Sequence, residues 1–79
     1  MAGILTTQKF NNAIQYEKKG DYGKAQKEYL SVISIDPSFR PAYVNLGSLY
    51  SRMNFFAESM KCFEAALSLG KDYITFFNI

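Results

Sequence analysis

The chain contains no histidine, no tryptophan, a single cysteine and two prolines in 79 residues. Without histidine the commonest general base and metal ligand is missing, and the lone Cys62 has no candidate base beside it. The carboxylates Glu17, Asp21, Glu28, Asp36, Glu58, Glu64 and Asp72 are scattered among lysines. No metal-ligand spacing, glycine-rich phosphate loop or serine triad can be assembled from what remains, so neither an enzyme nor a cofactor is expected. Cys62 cannot form an internal disulfide, which suits a reducing compartment, and it reads as a small, partly buried apolar residue. Nine Lys and Arg stand against seven Asp and Glu, interspersed, for a net charge of +2. A nucleic-acid binder needs a concentrated basic stripe for phosphate contacts, and none is present. No apolar run approaches the roughly 20 residues of a membrane span, and the opening MAGIL is too short and too uncharged for a signal peptide. A soluble, cytoplasmic protein with no membrane or nucleic-acid partner is the expectation.

What the chain does have is aromatics, six tyrosines and seven phenylalanines, set in helical periods. Its length allows one small domain, of a size that buries only about 60% of its extended surface. Thr6 or Thr7 is the expected N-cap of a first helix, in which Phe10, Ala13, Ile14 and Tyr16 repeat. Lys18-Lys19-Gly20 ends it, with cations near exposed carbonyls and a glycine able to take φ > 0. Asp21 is the next cap candidate, followed by Tyr22, Ala25, Tyr29, Val32 and Ile33 at three- and four-residue steps. Val32 to Ile35 has strand propensity, but the helical period flows into it and Asp36-Pro37 stops the element, so a helix is expected there too. Pro41 suits the first turn of a third helix, to about Met53, with Asn54 in the place Gly20 held. A fourth, Phe55 to Leu69, carries Phe56, Met60, Phe63, Ala66 and Leu67 on one side. Gly70 closes it, and Asp72 caps an apolar fifth segment, Tyr73 to Ile79.

The third helix holds the organising stripe: Tyr43, Leu46, Gly47 and Tyr50 fall on one side. A glycine inside a helix costs about 1 kcal/mol against alanine, so Gly47 implies close approach of another helix. Comparing the chain with itself at a shift of 34 aligns Asn11 with Asn45, Tyr16 with Tyr50, Gly20 with Asn54, Tyr22 with Phe56, Lys27 with Lys61, Tyr29 with Phe63 and Ser34 with Ser68. Thr75 to Ile79 matches Ala42 to Leu46 at a shift of 33. Two helical hairpins and the start of a third follow: repeat one about 6–39, repeat two about 40–72, and a partial helix 73–79.

This pattern resembles the tetratricopeptide repeat (TPR) family over Thr6 to Ile79. The motif positions are Tyr43, Leu46, Gly47, Tyr50, Ser59, Phe63 and Ala66 in the second unit, and Ala13, Tyr16, Ala25, Tyr29 and Pro37 in the first. Lys9, Asn12 and Lys71 depart from it. The resemblance implies an all-α fold, antiparallel helix-turn-helix repeats in a short right-handed solenoid within a single domain 1–79. It also implies that each A helix packs between its own B helix and the next A helix, with Ala13, Gly47, Ala25 and Ser59 permitting close approach.

In this family the A helices line a concave groove that commonly holds an extended peptide. The expected groove positions are Thr7, Phe10, Asn11, Ile14, Glu17 and Lys18, then Pro41, Val44, Asn45, Ser48, Ser51 and Arg52. Asparagine recurs at one place in all three A helices, as Asn11, Asn45 and Asn78. A carboxamide row can pair with a peptide backbone whatever its sequence, which resembles the asparagine ladder in the TPR domain of O-linked N-acetylglucosamine transferase. Equally, these amides can bond only to a neighbouring helix. Lys18 and Arg52 stack in register and either favour an acidic ligand or remain solvated end-of-helix cations. A carboxylate clamp is not expected, since Phe10 and the Tyr73 to Phe77 segment occupy its cation places. Phe10, Ile14 and Val44 suggest a partly apolar ligand surface.

Three functions are thus compatible with the sequence: an adaptor binding an extended peptide of a partner protein, a structural self-assembly unit, and a substrate-presenting fragment of a larger enzyme. Repeat arrays commonly need about three units and a polar cap. The apolar Tyr73 to Ile79 segment is therefore expected either to fold onto the fourth helix as a short cap or to reach into another copy, and self-association, by exchange between copies or stacking of terminal faces, is the favoured expectation. The pattern is also that of a piece of a longer array cut inside its third repeat.

Overall fold

The computed structural model describes residues 3–70, which form four helices: α1 (Ile4–Lys18), α2 (Tyr22–Ile35), α3 (Arg40–Arg52) and α4 (Phe56–Leu69). There is no strand among the described residues, and Val32 to Ile35 completes α2. The fold is all-α, built as two helix-turn-helix units in which α1 packs on α2 and α3 on α4, with α2 and α3 joining the units. The segment 73–79 lies outside the described residues.

Both hairpins turn in the same way. Gly20 at φ 81° and Asn54 at φ 67° take the left-handed conformation just past α1 and α3. The amide after each reaches back to a tyrosine carbonyl, Asp21 to Tyr16 at 2.9 Å and Phe55 to Tyr50 at 2.8 Å. Such bonds satisfy carbonyls that the helix end leaves without a partner. Asp21 then caps α2, its carboxylate accepting from the Lys24 amide at 3.5 Å.

At the start of α1 the expectation fails. The helix begins at Ile4 behind Gly3, and Thr6 is a buried residue within it, while Thr7 Oγ1 donates to the Gly3 carbonyl at 3.2 Å. The Thr7 hydroxyl thus bonds back to the carbonyl four residues earlier, and no side chain caps the N-terminus of α1. α3 similarly starts one residue earlier than Pro41, which occupies its first turn as expected.

The core is Ala13, Ala25, Tyr29, Leu46, Leu49 and Tyr50, with Val32, Ala42 and Ala66 also buried. The small residues sit where helices come closest. Ala13 and Ala25 are fully buried between α1 and α2, and buried Ser59 donates to the Gly47 carbonyl at 2.8 Å between α3 and α4. A β-carbon on Gly47 would stand 2.7 Å from Phe63 Cε1, so the bare glycine backbone makes room for that ring. Between the units, α3 packs on α2, and α1 meets α3 through the Arg52–Glu17 pair.

The departures at Lys9 and Asn12 meet at one residue of α2, Glu28. Lys9 Nζ lies 3.6 Å from Glu28, and Asn12 Nδ2 donates to the same carboxylate at 3.4 Å. In the second unit these places hold Tyr43, Leu46 and Cys62, which border one apolar groove. The two hairpins thus solve one contact twice, once with charge and once with apolar surface.

Candidate functional site

A cavity of about 340 Å³ opens between α1 and α3, floored by α2 and lined by Ile14, Glu17, Lys18, Tyr29, Asn45, Ser48 and Arg52. Helical spacing explains the set. Ile14, Glu17 and Lys18 lie at three- and four-residue steps on α1, as do Asn45, Ser48 and Arg52 on α3, so each helix offers one wall. Tyr29 rises from α2, its ring fully buried and its hydroxyl reaching the cavity.

The polar groups form one connected chain across three helices. Tyr29 Oη donates to Glu17 Oε1 at 2.8 Å, and Arg52 Nη1 donates to Glu17 Oε2 at 3.0 Å. Asn45 Nδ2 donates to Tyr29 Oη at 3.4 Å, a longer bond. Glu17 is the hub, with a side chain only 15% exposed against 58% for Arg52. Its negative charge is paired with the guanidinium, and its other oxygen accepts a hydrogen bond from the neutral phenol. Burial, reinforced by the Glu17 carboxylate, raises the Tyr29 pKa well above the ordinary 10.0, so the phenol keeps its proton as the donor of this chain.

Asn45 bonds to the neighbouring helix, yet its carboxamide also borders the cavity. With Nδ2 directed at Tyr29, the carbonyl oxygen is the atom left over to face a ligand. Lys18 lies on the same wall, giving two cations to one carboxylate.

The remaining expected groove residues lie elsewhere. Asn11 is exposed on α1 and is not among the cavity lining, and Val44 is half-buried outside it. Phe10 is engaged from both sides, its ring edge-on to Tyr29 at 5.9 Å and to Phe39 at 5.2 Å. Asn78 lies outside the described residues. Tyr29 is the residue that sequence reasoning assigned to packing alone. Its one signal was the hydroxyl: the equivalent residue in the second unit is Phe63, which has none.

Beyond this cavity, the apolar groove on the other side of α3 is about 290 Å³ and includes Leu30, Ile33, Tyr43, Leu46 and Cys62. Burial and the nearby Glu58 raise the Cys62 pKa, which makes the thiol a poor nucleophile there. Among the described residues no group of three His, Cys, Asp or Glu side chains could hold a metal, and no helix is long and apolar enough to cross a membrane.

Paired helices stacked through small residues, with a polar trough across their first members, define a helical-repeat fold. The chain belongs to the tetratricopeptide repeat family, whose profile matches residues 15–39 and 41–73. Repeats of this kind generally mediate protein–protein interaction and are typically non-enzymatic. No curated protein matches the chain.

Proposed function

We propose that this chain binds an extended segment of a partner protein along the trough between α1 and α3. Ile14, Lys18, Asn45, Ser48 and Arg52 are its central contacts, and Asn11, Phe10 and Val44 extend the surface along the same two helices. The observation that carries this reading is the Glu17, Tyr29, Asn45 and Arg52 chain of bonds, which fixes side chains from three helices around one opening. Fixed polar groups over a partly apolar floor suit a peptide backbone, since little side-chain freedom remains to be lost on binding. The excess of cations favours a peptide with acidic character. The asparagine-ladder likeness belongs to this proposal as well, with Asn78 as its third member. A cytoplasmic location agrees with the lone thiol.

A peptide-display library panned against the chain tests the reading directly. Selected peptides should lose about tenfold or more in affinity when Asn11 and Asn45 are both replaced by alanine, with sedimentation unchanged. Undiminished affinity in that variant would move the working surface away from the trough. The competing reading, self-assembly through residues 73–79, predicts the reverse: association altered by changes in α4 and no effect of the asparagines. Presentation of substrate to an attached enzyme would use the same trough.

A further inference from the structure

Two cations and one carboxylate meet at one end of the trough. Arg52 Nη1 on α3 donates to Glu17 Oε2 on α1 at 3.0 Å, and Lys18 lines the same cavity with no ion-pair partner among the described residues. The other Glu17 oxygen is held by the Tyr29 hydroxyl, so the carboxylate is fixed from two sides and fixes the guanidinium in turn. A guanidinium presents five N–H groups in a planar fork, and one bond to Glu17 leaves the rest of that fork for a second acceptor.

We infer that the fork reads a single carboxylate side chain of an extended peptide, with the Lys18 ammonium and the Ser48 hydroxyl as its other partners. This rests on the trough being the surface that binds the peptide. Charge selects the ligand group. Two positive side chains against one negative leave one positive charge over, and both cations stand in the last turn of their helices, where the carbonyl ends add negative potential. One carboxylate balances that surplus, whereas a doubly charged phosphate exceeds it.

The walls set a second requirement. Ile14 precedes Lys18 by one helical turn, about 6 Å along the axis. In an extended peptide, side chains two residues apart point the same way and are about 6.6 Å apart. A carboxylate held by Lys18 and Arg52 therefore places the side chain two residues away over half-buried Ile14, which favours an apolar one. Asn45, with its Nδ2 on Tyr29, has its carbonyl oxygen left to accept a backbone N–H of the same peptide.

Titrations of capped pentapeptides into the full chain, followed by amide NMR, test the inference. The probes are Ser-Leu-Ser-Asp-Ser and Ser-Asp-Ser-Leu-Ser, each also made with asparagine or phosphoserine in place of the aspartate. In the better-bound order, the aspartate peptide should have a Kd about tenfold or more below that of its asparagine twin, with the largest shifts at Lys18, Ser48 and Arg52. Both cations are exposed, so their variants should keep the fold. In Lys18→Gln, and in Arg52→Lys, which keeps the charge and loses the fork, that ratio should fall to about threefold or less. An unchanged ratio in both variants would overturn the inference. So would a preference for phosphoserine over aspartate. Equal Kd values for aspartate and asparagine, with shifts still confined to α1 and α3, would overturn the carboxylate reading and leave binding in the trough standing. No shifts in α1 or α3 with any of the peptides would overturn both.

Discussion

The ring of Phe63 occupies the space that a side chain on Gly47 would need, with Cε1, Cδ1 and Cζ all within 3.0 Å of an ideal β-carbon. The two residues act as one unit, because the ring has somewhere to go only while position 47 is bare. Gly47→Leu should therefore destabilise the fold by about 1–3 kcal/mol, read as a lower urea midpoint. Gly47→Ala isolates the coupling. In a Phe63→Ala background the added methyl meets no ring, and the helix propensity of alanine should emerge as a gain of up to about 1 kcal/mol. The same gain with Phe63 in place would mean that the ring yields freely and the fit is unimportant.

Tyr29→Phe removes one hydroxyl and breaks two bonds, to Glu17 and from Asn45. Glu17 is mostly buried and keeps Arg52, so the loss should be close to that of an ordinary buried hydrogen bond with a charged acceptor, about 1.5–3 kcal/mol. Unfolding in denaturant measures it. The side-chain amide protons of Asn45 should also lose their exchange protection in this variant. If they keep it, Asn45 is held by something other than the phenol.

The same tyrosine should make the protein sensitive to alkali. Burial raises its folded pKa above the unfolded 10.0, so at high pH the unfolded chain releases this proton while the folded one retains it. Stability from this group is complete below about pH 10 and declines as the pH rises from there toward the folded value. The wild type should lose up to about 1.4 kcal/mol per pH unit relative to Tyr29→Phe in that window, because one proton is involved. Parallel pH profiles for the two proteins would remove Tyr29 from the account.

The repeat was legible because close packing leaves marks at fixed intervals. Gly47 in an aromatic stripe, and the 34-residue return of Asn11, Tyr16 and Gly20, imply paired helices without any coordinates. The family resemblance, read through the repeat register, places Ile14, Lys18, Asn45, Ser48 and Arg52 on the groove side of the first helices, and all five line one cavity. What periodicity does not carry is the identity of the neighbour. Phe56, Met60, Phe63 and Leu67 were rightly placed together on α4, yet all are substantially exposed, because a stripe marks a face without supplying its cover. Pairing across helices was hidden for a related reason. Lys9 and Asn12 looked like separate departures from the family pattern, and only their meeting at the Glu28 carboxylate shows how the fold accommodates them.

The two inter-helix turns provide a last test, since equivalent positions carry different residues in the same conformation. Gly20 has open space around its α-carbon, so Gly20→Ala meets no steric clash with a neighbour and pays only for a side chain at positive φ. About 1 kcal/mol should be lost, in keeping with the left-handed preference of glycine. Asn54 already bears a side chain at φ 67°, so Asn54→Gly should move the other way and stabilise α3 against α4 by a few tenths of a kcal/mol to about 1 kcal/mol. Thermal unfolding of the two single variants checks the signs. Destabilisation by Asn54→Gly would show that the carboxamide contributes to the turn more than its backbone strain takes away.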